Sequence, residues 1–293
     1  MKSANIIRLC ALAILSGAAL NASLGNDSEA PQTVKTTDGR ELKLVWNDEF
    51  NGEGLPDARK WNYEVGYIRN NESQYYTNAR QENIFQKDGV LTIRTLKEKY
   101  PLEGKPNNQG RDHAEYTSAC IETRGLASWT YGRIETRAKL PKGKGIWPAI
   151  WMLGDSISQI GWPKCGEIDI MEYVGHTPNT VHSTVHMHRP GGENWHNVSQ
   201  GSKLTLNKSG EEPEERFYVY TVEWTPEKLI FLVDDKVVLE ADAQKLKEMT
   251  DVYPFNAPHY LILNTAIGGA WGGEIDNKTC PAEFIIDYVR VYQ

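Results

Sequence analysis

A chain of 293 residues with 40% hydrophobic residues is long enough for one sizeable core, and a net charge of −7 with pI ≈ 5.6 leaves no basic field for nucleic acid. No apolar run is long enough to span a bilayer, so the expected partner is soluble or a neutral polymer, and the expected state is a monomer. Nine Trp and 14 Tyr provide amphipathic rings that serve both cores and sugar binding.

The N-terminus has the pattern of a secretory signal over residues 1–25. Lys2 and Arg8 give a positive start, Leu9 to Leu20 an apolar stretch, and Ser23-Leu24-Gly25 small residues suited to cleavage. The expected location is secreted or periplasmic. Cys10 opens the apolar stretch and is not placed for lipid attachment. Cys120, Cys165 and Cys280 remain, an odd number in an oxidising compartment, and one disulfide plus a free thiol, or none, are both open. Residues 26–40 are polar and aperiodic, the pattern of a flexible leader, and 41–293 form the main domain.

Glu41 to Trp46 alternates as a first strand, and the acids in Asn47 to Gly52 suit either oxygen ligation of a hard cation or plain turn chemistry. Gly89 to Arg94, Tyr116 to Ile121 and Tyr131 to Ala138 are further short alternating strands bounded by turn residues, a spacing that argues for a sandwich of two sheets. In the apolar stretch Gly145 to Gly154, Trp147 and Trp151 share a strand face by parity. They form either a stacking platform for sugar rings or part of the core.

Gly166-Glu167-Ile168-Asp169-Ile170-Met171-Glu172-Tyr173 interleaves three acids with large apolar residues. Strict alternation puts Glu167 and Asp169 on one face but Glu172 among the apolar side chains, where an unpaired carboxylate is costly. A β-bulge around Ile170-Met171 restores the parity and brings all three acids to one face. Like charges in a row suit a glycosidase, which needs one ionised nucleophile and one protonated acid flanking the bond. The bland alternative is a half-solvated strand. Cys165, nearby, has no His-Asn partnership to make it a nucleophile and fits a core or wall role.

Val181 to His188 is expected to return antiparallel, with His182, Thr184, His186 and His188 on one face. Residues i and i+4 of a strand lie about 13 Å apart, too far to share a zinc ion. His186 is instead the candidate for hydrogen bonding to a sugar hydroxyl or a carboxylate. Arg189 to Glu215 is Gly-, Ser- and Asn-rich, the composition of a long loop. Phe217 to Trp224 and Leu229 to Val233 form a hairpin, and Ala241 to Met249 has helical character. Tyr260 to Ile267 is a buried strand that leads into the loop Gly268 to Gly273, where Trp271 stands among glycines, and Phe284 to Tyr292 is the last strand. Asp287 sits among apolar residues there, where a cation would explain it.

With these residues in view the chain resembles glycoside hydrolase family 16, within it the bacterial laminarinase type of endo-β-1,3-glucanase, from about Leu44 to Gln293. The resemblance is carried by Trp46 to Phe50, Asn70-Asn71-Glu72 with Gln74-Tyr75-Tyr76, Ala127 to Arg133, Trp147 to Trp151, the Glu-x-Asp-x-x-Glu core and Asp287 to Tyr292. It implies an all-β jelly-roll sandwich of two antiparallel sheets with a concave substrate cleft, and hydrolysis of internal β-1,3 bonds in laminarin-like β-glucans, with mixed β-1,3/1,4-glucans as further substrates. By motif match Glu167 is the nucleophile, Glu172 the acid/base and Asp169 the residue that tunes them. Substrate contacts map to Asn71, Arg124, Trp147, Trp151, His186 and Trp271. No cofactor is implied for catalysis, and a structural calcium maps to Glu49, Gly89 and Asp287. The competing readings are a β-glucan-binding lectin on the same fold, since fold does not fix function, and a family member acting on another polymer such as agar.

Overall fold

The computed structural model describes residues 30–193, 195–206 and 212–293; the expected signal segment 1–25 lies outside them. In chain order the strands begin with β1 (Thr33–Lys35), β2 (Glu41–Asp48), β3 (Asn62–Tyr63), β4 (Gln74–Tyr76), β5 (Ile84–Lys87) and β6 (Val90–Pro101). Next come β7 (His113–Ser118), β8 (Cys120–Glu122), β9 (Gly132–Lys139), β10 (Ile146–Gly154), the short helix α1 (Ile157–Ile160), β11 (Glu167–Tyr173), β12 (Thr180–His188) and β13 (Asn197–Thr205). The remainder is β14 (Tyr218–Trp224), β15 (Lys228–Val233), β16 (Lys236–Asp242), α2 (Ala243–Met249), β17 (His259–Ile267), α3 (Gly269–Gly272) and β18 (Ala282–Tyr292).

These strands form the two sheets expected from the spacing. The larger runs β16-β15-β14-β9-β18-β6-β7-β4, with β2 also on β18, β1 on β2 and β5 on β6; the smaller runs β13-β12-β11-β10-β17-β8-β3. Between them lies one main core that includes Ile134, Ile150, Ile168, Met171, Val185, Trp224, Phe231, Leu263 and Val289. β17 is buried at every position, because one face meets this core and the other forms the floor of the cleft described below.

Several segments differ from the expectation. Tyr116 to Ile121 is not one strand: β7 belongs to the larger sheet and β8 to the smaller, and buried Ala119 is where the chain crosses between them. The loop expected over 189–215 contains β13, which pairs with β12 along its whole length. As an edge strand with solvent on it, β13 needs only Val198 and Leu204 as apolar contacts, so its polar composition hides it. β16 was likewise hidden behind its turn, and Gly269–Gly272 is a helical turn where a loop was expected. Within the expected flexible leader, β1 pairs with β2, and Thr37 donates to Glu223 from its backbone N–H and its hydroxyl, the latter at 2.6 Å.

Glu223 is buried and stands directly opposite Arg133 in the β14–β9 ladder. Arg133 Nη1 donates to Glu223 at 2.6 Å and its Nε donates to Glu135 at 2.9 Å, so one guanidinium serves two buried carboxylates. Removing one partner of a buried ion pair leaves an uncompensated charge. Arg133→Ala is therefore expected to lose about 3–5 kcal/mol of stability, read from denaturant midpoints. A loss below about 1 kcal/mol, the range of an exposed pair, would contradict it.

Candidate active site

β11 lies between β10 and β12, and both neighbours register the same irregularity. On β10, Trp151 faces Asp169 while the adjacent Ile150 faces Met171, so Ile170 is skipped. On β12, Thr184 faces Asp169 and His182 faces Glu172, so Ile170 and Met171 together oppose Ser183. Ser183 Oγ donates to the Ile170 carbonyl at 2.9 Å, which satisfies a backbone group displaced from the ladder. Ile170 and Met171 are consecutive and both buried in the core, as is Ile168. Glu167, Asp169 and Glu172 consequently line one cavity of about 770 Å³.

The three acids occupy different environments. Asp169 is buried, and its pKa is pushed well above the usual carboxylate range by burial first, then by the charge and hydrogen bonding of Glu167. Glu172 is also held well above that range, by burial first and then by Asp169 and Glu167, against the opposing pull of the Trp147 indole and His186. Trp147 Nε1 donates to Glu172 Oε1 at 3.1 Å, and Trp162 Nε1 donates to Glu167 Oε2 at 2.5 Å. His186 Nε2 lies 3.2 Å from Asp169 Oδ2, and its Nδ1 is 2.8 Å from Asn197 Nδ2 on β13. A protonated carboxyl beside a second carboxylate on the same wall is the combination that general-acid cleavage of a glycosidic bond requires. Among the described residues, the His, Cys, Asp and Glu atoms close enough to share a metal belong to Glu167, Asp169 and His186, within 4.8 Å of one another. That group coincides with the acidic row, whose work as carboxylates needs no metal.

The walls hold most of the expected substrate contacts. Trp147, Trp151, His186, Arg124 and Trp271 all line the cavity. Trp147 and Trp271 meet edge to face at 5.5 Å, and Trp271 meets His182 in the same way at 5.0 Å. Trp151 plays a different part from a stacking platform: it is buried, Arg69 covers its ring at 4.9 Å, and its Nε1 donates to Asn264 at 2.7 Å. Asn71 is exposed and outside the lining. It and Asn70 are consecutive left-handed residues that turn the chain, and it is Asn70 that borders the cavity. His188 points away into bonds with Asp251 and the Glu193 carbonyl. Sequence reasoning missed Glu64, Arg69, Trp162, Tyr260, Asn264, Asn197 and Ser199 as lining residues. Asn264 carried a signal, as a polar residue within the buried run Leu261 to Ala266. Asn197 and Ser199 carried none once β13 was read as loop.

Glu49 follows the end of β2 and Gly89 precedes β6, the two strands between which β18 changes partner, and Asp287 occupies the irregularity in the β18–β9 ladder at that change. Both carboxylates have counterions: Arg290 donates to Glu49 at 2.8 and 3.0 Å, and Arg137 donates to Asp287 at 2.5 Å. Gly89 can offer only its carbonyl, so a hard cation at this seam would draw largely on backbone oxygens, which such ions accept readily. Arg137 thus gives buried Asp287 a countercharge from within the chain.

Chains named for glucanase activity are similar to this one in sequence and fold. A β-glucanase from Rhodothermus marinus is 44% identical over 264 residues, 86% of this chain and 85% of that one. The X-ray structure of the laminarinase from Rhodothermus marinus matches with TM-score 0.74 and 43% identity over 86% of this chain and 97% of that chain. That of an endo-β-1,3-glucanase from Pyrococcus furiosus matches with TM-score 0.79 and 37% identity over 90% of this chain and 98% of that chain. These neighbours have the jelly-roll fold. Residues 71–290 match the glycosyl hydrolases family 16, and with identity of this extent over most of both chains, the protein belongs to that family and is a glycoside hydrolase.

Proposed function

We propose that the protein is a secreted, monomeric endo-glycosidase that cleaves internal β-1,3 bonds of laminarin-like β-glucans with retention of configuration. The observation that carries this reading is the bulge in β11, after which Glu167 and Glu172 line the same cavity, the Glu172 carboxyl raised above its usual range by burial. Retaining enzymes hold the two carboxyls about 5 to 5.5 Å apart, a span that side chains on one strand face can bridge. Glu167 attacks the anomeric carbon as the bond to the leaving oxygen breaks, and that oxygen takes the proton of Glu172. Glu172 then removes a proton from water, whose oxygen attacks the same carbon and releases Glu167. Burial first, and the neighbouring Asp169 and Glu167 after it, raise the Glu172 carboxyl well above the usual carboxylate range, and His186 flanks Asp169 at 3.2 Å. The names of the relatives support a β-glucan substrate, and the aromatic walls suit neutral rings. The signal pattern over residues 1–25 supports export, and the catalytic domain then takes in β1 ahead of the expected boundary at 41.

Early products from laminarin, mixed-linkage glucan, agarose and carboxymethyl cellulose test the substrate. Oligosaccharides are expected fastest from laminarin, slower from the mixed-linkage glucan, and not at all from the cellulose derivative. Release of glucose alone would overturn the endo assignment, and an NMR time course with the α-anomer first would overturn retention.

A group whose pKa is higher folded than unfolded binds extra protons in the fold, so its stabilising contribution is present at low pH and lost as pH rises. Asp169 and Glu172 are of this kind. Stability should therefore decline as pH rises above the ordinary carboxylate range of about 4. Asp169→Asn is expected to reduce activity yet flatten that decline, measured as urea midpoints against pH. Parallel curves for variant and wild type would refute the coupling.

A calcium ion at Glu49, Gly89 and Asp287 would stabilise the fold by mass action without taking part in catalysis. Melting with and without a chelator is expected to show a lower midpoint in its presence, and no shift would count against the site.

A further inference from the structure

On the double displacement proposed above, we infer that two indole N–H groups decide which oxygen of each cleft glutamate reacts: Trp162 reserves Oε1 of Glu167 for attack, and Trp147 reserves Oε2 of Glu172 for the proton. The terminal torsion of a glutamate side chain has a broad, two-fold profile, so packing alone does not distinguish its two oxygens. A fixed donor does. An indole N–H can only donate, so the direction of each bond is unambiguous, unlike one made by an Asn or a His.

Trp162 donates to Oε2 of Glu167. Trp162 is 41% exposed, so core packing does not account for its position. The turn that carries it is closed by Cys165 N–H to the Gly161 carbonyl at 3.0 Å and Gly166 N–H to the Pro163 carbonyl at 3.1 Å, which leads directly into Glu167. The bound oxygen gives up electron density to the N–H, which leaves Oε1 the better nucleophile once the hydrogen bond between Glu167 and Asp169 yields to the substrate. Trp147 donates to Oε1 of Glu172 and is braced edge-on by Trp271. In a protonated carboxyl the oxygen that accepts the N–H is the carbonyl oxygen, so the O–H sits on Oε2. When the glycosidic bond breaks, that proton passes from Oε2 to the leaving oxygen while the new bond forms between Oε1 of Glu167 and the anomeric carbon. Trp162 and Trp147 are positioning residues in this scheme, each acting through one glutamate.

The test uses Trp162→Phe and Trp147→Phe, which keep an aromatic ring and lose the donor. Substrates are laminarin and a 2,4-dinitrophenyl β-laminaribioside, whose leaving group departs without a proton. For each variant kcat/KM on laminarin is expected to fall about ten- to a hundred-fold, the loss of one hydrogen bond to a charged or reacting carboxyl. On the aryl glycoside Trp147→Phe should lose at least about five-fold less kcat than it loses on laminarin, because the step then needs no acid catalysis, whereas Trp162→Phe should be impaired equally on both. Laminaritetraose binding by calorimetry reads any lost wall contact as a weaker Kd, and kcat is expected to fall by a larger factor than that, which separates positioning from lost contact. A variant that melts early is replaced by one with 3-benzothienylalanine at the same position, an isostere without the N–H. Equal behaviour of the two variants on the two substrates, or wild-type kcat/KM in either, would overturn the inference. Wild-type inactivity on both substrates is read before any variant and would overturn the functional reading itself.

Discussion

Ile170 and Met171 both point into the core, and this break in the alternation of β11 is the constraint from which the cleft follows. A strand with strict period two could bring two of the three acids to the cleft and would bury the third. The extra residue is tolerated because the flanking strands stay in register above and below it, and because the Ser183 hydroxyl satisfies the Ile170 carbonyl. β10, β11 and β12 must therefore be laid down together. The walls follow from the same register: Trp147 and Trp151 on β10, and Thr184 and His186 on β12, share the face on which the acids emerge.

The molecule treats its carboxylates in two ways. In the larger sheet, Glu135 and Glu223 share Arg133, Glu49 has Arg290 and Asp287 has Arg137. These acids each meet a guanidinium and hold strands together. In the cleft no arginine reaches the catalytic row among the described residues; its partners are indole N–H groups, a histidine and each other. Burial without a countercharge favours the protonated form, and the repulsion that makes the row poor as structure keeps a proton on Glu172. The same residue type is structural or chemical according to whether a guanidinium is within reach.

The two-sheet architecture and the acidic row were legible in the sequence because both depend on local patterning: period-two alternation, turn residues and one breach of parity within eight residues. What stayed hidden depends on partners far away in the chain. Asp287 looks like an orphan carboxylate until β18 brings it to Arg137, 150 residues distant, and Trp151 looks like a sugar platform until Arg69 covers it. β13 has almost no apolar face because an edge strand needs little, so its composition is that of a loop. Ala119 lies inside an unbroken alternating run, and only the competition between two sheets for that run makes it a crossing point.

β18 has a further consequence, one of timing. It lies inside the larger sheet, pairs with β9, β6 and β2, and makes contacts as distant as Arg290 with Glu49, 241 residues apart. Loop closure over such separations is slow and must be met before the contacts reward it. The hairpins of β5 with β6 and β14 with β15 can form locally, but they belong to halves of the sheet that nothing joins until β18 is inserted. A chain interrupted between Asp242 and Ala282 would therefore hold two incomplete half-sheets with open edges, a species prone to pairing with its own copies.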